Sequence, residues 1–84
     1  MSKEFPFSAL LYNISGAIYK SSGQLNTAVK KFEQALALKP QYAEAHYNLG
    51  VTLNELGQIE AAIKSYKNAI EIKNEYPDAH NNTQ

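Results

Sequence analysis

The stretch Tyr42–Gly57, YAEAHYNLGVTLNELG, decides the reading. Ala45, His46, Leu49, Val51, Leu53 and Leu56 supply its apolar side, mostly at three- and four-residue steps. That spacing marks an amphipathic helix. Gly57 follows the last periodic residue, where a glycine ends a helix at little steric cost. The opening of this stretch returns downstream. Tyr42, Ala45, His46 and Asn48 reappear as Tyr76, Ala79, His80 and Asn82, each 34 residues on. Upstream, Gly16, Gly23 and Gln24 stand 34 residues before Gly50, Gly57 and Gln58. A fixed period of this size signals stacked structural repeats.

Working outward, Met1 to Phe7 reads as an extended lead-in, because Pro6 disfavours the α region at Phe5. Ser8 is a candidate N-cap. A first helix follows, with Leu11, Ile14, Ser15, Ile18 and Tyr19 at helical spacing, the mark of a one-faced helix. Gly23 stops it. A second helix runs from about Gln24 to Leu38. Leu25, Ala28, Val29, Phe32, Ala35, Leu36 and Leu38 face inward, and Lys30, Lys31, Glu33 and Gln34 face water. Pro40 ends it at Lys39. Beyond Gly57, a fourth helix runs from about Gln58 to Ile72, with Ile59, Ala62, Ile63, Tyr66, Ala69, Ile70 and Ile72 inward and a turn over Lys73-Asn74-Glu75. Pro77 fits the first turn of a fifth helix that begins at Asp78. Breaks this short force antiparallel neighbours. No segment alternates with period two, so the expected class is all-α.

Aligning residues 9–42 with 43–76 gives nine identities, among them Gly16/Gly50, Ala28/Ala62, Ala35/Ala69 and Lys39/Lys73. Leu25/Ile59, Val29/Ile63, Phe32/Tyr66 and Leu36/Ile70 exchange like for like. Gly16 and Gly50 fall inside helices, where glycine costs roughly 1 kcal/mol relative to alanine. A neighbouring helix packing on bare backbone is the expected reason, with Ala28 and Ala62 on its other side and Phe32 and Tyr66 beyond. The sequence resembles the tetratricopeptide repeat family, whose pattern is W-x2-L-G-x2-Y, then A-x3-F, then P. Here the first copy reads Tyr12, Ser15, Gly16, Tyr19, Ala28, Phe32 and Pro40, and the second His46, Leu49, Gly50, Leu53, Ala62, Tyr66 and Asn74. The tryptophan, one leucine and the second proline are replaced. The resemblance implies one domain over residues 1–84, with repeats at 9–42 and 43–76 and a partial third at 77–84. It implies antiparallel helix-turn-helix units stacked as a right-handed α-solenoid.

The resemblance further implies that the first helix of each pair lines a concave groove holding a peptide or partner segment. By position, that groove takes Asn13 and Ala17 from the first copy, with Leu10, Ile14 and Lys20 beside them. Glu44, Tyr47, Asn48 and Val51 come from the second, with Asn54, and Asn82 from the third, with Asp78 and Asn81. Asn48 and Asn82 recur one period apart. An asparagine amide offers a donor and an acceptor, so two of them can satisfy an extended backbone without reading its side chains. Solvated surface asparagine is the alternative. The basic residues with which family members clamp a chaperone's C-terminal carboxylate are missing, since Asn13 and Asp78 stand there instead. Charge complementarity favours a neutral or basic segment.

Other classes are disfavoured. Eight basic and eight acidic residues balance to zero, which argues against a nucleic-acid partner. His46 and His80 share a repeat position, so their helices stand roughly 8–10 Å apart, too far for one zinc ion. No serine has a histidine and carboxylate arranged to activate it, so neither enzyme activity nor a cofactor is expected. No run approaches the roughly 20 apolar residues of a membrane span, and a cytoplasmic location is the default. Repeat stacks need about three copies and a polar cap. The apolar end faces therefore predict a homo-oligomer, by a swapped terminal helix pair in one version. A spacer or a piece of a longer array, regulatory to an attached enzyme, is the alternative to a binding module.

Overall fold

Glycine at two positions one period apart sets the chain's turns. Gly23 and Gly57 take φ of +84° and +86°, the left-handed region that glycine enters without a Cβ penalty. In the first turn the Gln24 amide donates to the Tyr19 carbonyl at 2.9 Å, and Gly23 to Lys20 at 3.0 Å. In the second, Gln58 donates to Leu53 at 2.9 Å and Gly57 to Asn54 at 3.0 Å. Both are the double bond of a Schellman C-cap, which satisfies carbonyls that a helix end leaves open. A computed structural model describes residues 7–74 as four helices: α1 Ser8–Ser21, α2 Leu25–Leu38, α3 Ala43–Glu55 and α4 Ile59–Asn74. Among the described residues there is no strand.

Each helix pair closes as a hairpin, α1 on α2 and α3 on α4. The helical glycines explain how close they come. A Cβ on Gly16 would lie 2.5 Å from the Phe32 ring, and one on Gly50 would lie 2.8 Å from the Tyr66 ring. The aromatics themselves therefore rest on the bare backbone. The alanines expected there play a smaller part, with the Ala62 carbonyl 3.2 Å from the Gly50 site. The second hairpin then lies on the first through α3, which packs on α2 and touches α1, while among the described helices α4 packs on α3 alone. The central apolar cluster joins the hairpins: Ala28 and Phe32 from α2, Leu49 and Leu53 from α3, and Ala62 from α4.

Several expectations need correction. Ser8 is the first helical residue, the N-cap is Phe7, and no side chain caps α1. Lys73 and Asn74 continue α4 instead of forming a turn. Leu11, Ile14 and Ile18 are exposed, and α1 buries Ala9, Asn13 and Gly16. Leu38, Ile59, Ile63 and Ile70 are exposed as well. Periodicity shows that a helix has an apolar face but not whether a neighbour covers it, and α1 and α4 are the outer helices of the described stack. Lys31 is half-buried because its ammonium lies 5.9 Å from the Tyr12 ring centre and 6.0 Å from that of Tyr19. Thr52 is fully buried, its hydroxyl donating to the Asn48 carbonyl one turn back at 2.8 Å. The fifth helix expected from Asp78 lies outside the described residues.

Candidate binding groove

The same stacking that seats α3 on α2 brings α1 and α3 side by side. Between them lies a recess of about 330 Å³, lined by Asn13, Ile14, Ala17, Ile18, Glu44 and Asn48. Its floor is a polar chain. The Asn48 amide donates to the Asn13 side-chain oxygen at 3.1 Å, and the Asn13 amide reaches the Tyr42 hydroxyl at 3.5 Å. Asn13 is 4% exposed, so these bonds are what its buried amide needs. Burial raises the pKa of the Tyr42 phenol above its ordinary 10.0, and the Glu44 carboxylate adds to the rise while the Asn13 bond opposes it. The phenol is neutral at physiological pH and accepts from Asn13 as such.

The charged residues at the far end cancel. Lys20 on α1 reaches Glu55 on α3 at 3.6 Å, a partly exposed pair of small energetic weight that leaves no net charge there. Glu44 stands nearer the helix starts. Its α3 neighbour Tyr47 is turned to a second, larger cleft of about 520 Å³ between α3 and α4, walled by Ala43, Tyr66, Ala69 and Ile70. The Tyr47 and Tyr66 rings lie 5.7 Å apart, tilted by 51°.

The expected groove residues thus separate. Asn13, Ala17, Glu44 and Asn48 share the α1/α3 recess, with Asn13 beneath its surface. Tyr47 belongs to the α3/α4 cleft, and Glu44 borders both. Val51 is half-buried and lines neither recess. Asn82 lies outside the described residues. Ile18 and Ser21 also line the α1/α3 recess and were not expected there. Ile18 stands one turn after Ile14, a spacing that could have placed it. The Tyr42 contact joins residues 29 apart in sequence, and no local pattern signals it. His46 takes a structural part: its Nε2–H donates to the Pro40 carbonyl at 3.0 Å, tying α3 to the loop before it.

The family profile described as "TPR repeat" matches residues 16–57 and again 52–83. Among solved structures the chain is similar to the crystal structure of MamA, at 27% identity and a TM-score of 0.76. That likeness covers 79% of this chain and 39% of the MamA chain, so the present chain spans well under half of that protein. No curated protein matches the sequence. Among the described residues no helix is long and apolar enough to cross a membrane.

Proposed function

The chain belongs to the tetratricopeptide repeat family, and from that premise we propose that it holds an extended segment of a partner protein in the groove between α1 and α3. TPR repeats mediate protein–protein interaction; the occupied surface, the kind of segment and the residues that hold it are our reading. The observation that carries it is the Asn13–Asn48 pair on the groove floor. Asn13 fixes the Asn48 amide from below, so its carbonyl oxygen is held in place before a ligand arrives. A group set in advance loses less entropy on binding. That oxygen can accept a backbone N–H from an extended segment. Ile14 and Ala17 give such a segment apolar contact, and Glu44 favours one that is neutral or basic. Asn82, one period beyond Asn48, is the proposed second rung. The repeats are taken as 9–42, 43–76 and a partial third at 77–84.

A displayed library of random linear peptides, selected on the full chain and on Ala17→Arg, tests this. Ala17 is exposed, so the substitution leaves the fold intact while placing a bulky cation in the recess. Wild type should enrich extended sequences low in acidic residues. Ala17→Arg should lose at least tenfold in affinity for them at unchanged helicity. Equal binding by the two proteins would remove the groove from consideration.

A further inference from the structure

The two ends of the stack carry the two halves of a junction that the molecule already contains once. In the junction between hairpins, Ala45 and Thr52 of α3 are both 0% exposed. Their repeat equivalents on α1, 34 residues earlier, are Leu11 and Ile18, which are 60% and 62% exposed. Both pairs sit in a hairpin with its own second helix. What differs is the preceding hairpin, present for α3 and missing among the described residues for α1. The opposite end mirrors this. Val29, Phe32 and Leu36 of α2 pack against the central cluster, where α3 covers them. Their equivalents Ile63 and Ile70 on α4 are 48% and 58% exposed, and Tyr66 is half-buried at the rim of the α3/α4 cleft.

The faces match in pattern. Phe7, Leu11, Ile14 and Ile18 lie at i, i+4, i+7 and i+11. Ile59, Ile63, Tyr66 and Ile70 repeat the same steps on α4. Each stripe is roughly 16 Å long at 1.5 Å per residue. The residues have also changed together. Inside the molecule, Asn13 meets Asn48 through a hydrogen bond. The equivalents at the outer faces are Tyr47 and Ile14, an apolar pair. Leu11 and Ile18 are larger than Ala45 and Thr52, and the receiving side offers a cleft of about 520 Å³.

We infer that the partner of these end faces is a second copy of this chain, stacked head to tail. The α1 face of one copy takes the place on α4 of its neighbour that α3 takes on α2. Leu11 then lies by the partner's Ile70 and Ile18 by its Ile63, because α3 runs antiparallel to α2. The contact joins unlike faces, so each added copy exposes a fresh one and the assembly grows as a superhelical array. This surface meets the α1/α3 groove at Ile14 and Ile18, but Ala17 lies outside the stripe, so loss of peptide binding through Ala17 leaves the stacking untouched.

Sedimentation of the full chain over a wide concentration range tests the proposal. Wild type should rise in mass past the dimer. Leu11→Glu/Ile18→Glu and Ile63→Glu/Ile70→Glu should each remain monomeric, since each keeps one face. An equimolar mixture of the two should form a one-to-one dimer and stop. A wild type monomeric throughout, with the α4 face taken by residues 75–84 or left bare, overturns it. So does pairing by either variant alone, which means a like-with-like contact. The chain has no cysteine, so Ile14→Cys mixed with Tyr47→Cys gives a check free of introduced charge. A disulfide-linked heterodimer is expected under mild oxidation, and its failure to form counts against the stacking.

Discussion

A glycine inside a helix weakens it by roughly 1 kcal/mol against alanine, so Gly16 and Gly50 need a reason to be there. The reason is an aromatic ring in the space a methyl would fill. Replacing Gly16 with alanine gains that propensity but forces a Cβ to 2.5 Å from the Phe32 ring. Overpacking costs typically about 1–3 kcal/mol, so a net loss of up to roughly 2 kcal/mol is expected in chemical denaturation. Adding Phe32→Leu should recover part of it, because the two sites share one contact. Gly23→Ala tests a different mechanism. Nothing lies within 4 Å of that position, yet its φ is +84°, so its cost should be roughly 1 kcal/mol and independent of Phe32. A Gly16→Ala protein as stable as wild type would mean that the ring does not rest there. At this scale the sequence was partly legible. The period marked both glycines, but alignment cannot say which neighbour lies above them, and the ring takes the place assigned to alanine. Asn13 shows the same limit: its position was readable, its burial beneath Asn48 was not.

Elements were more legible than residues. Four helices, their order and the two glycine stops all followed from spacing and the repeat. Boundaries moved by one or two residues, as at Asn74, where helix hydrogen bonding continues past the expected turn. Which apolar residues are inside was legible for α3 and, Leu38 apart, for α2. On α4 Ala62, Ala69 and Ile72 are buried as expected but Ile59, Ile63 and Ile70 are not, and α1 was misleading, since coverage depends on a neighbour that no helix encodes by itself. The difference predicts a gradient in local stability. Among the described helices, α2 has α1 and α3 against it and α3 has α2 and α4, while α4 has α3 alone. Amide hydrogen exchange in dilute solution should show strongest protection in the middle of α2 and α3, and the weakest at the start of α1 and the end of α4. Equal protection throughout would mean that all four helices open as one unit.

At the scale of the whole molecule, groove and end faces both depend on one relation, the seating of the second hairpin on the first. The 34-residue period implied that relation without giving its contacts. A nuclear Overhauser spectrum of the full chain in solution tests it most directly. Contacts are predicted from Gly16 Hα to the Phe32 ring and from Gly50 Hα to the Tyr66 ring, within the hairpins. A further contact is predicted between the Asn48 side-chain amide and Asn13, across them. The first two without the third would show hairpins that fold but do not stack, and would contradict the account.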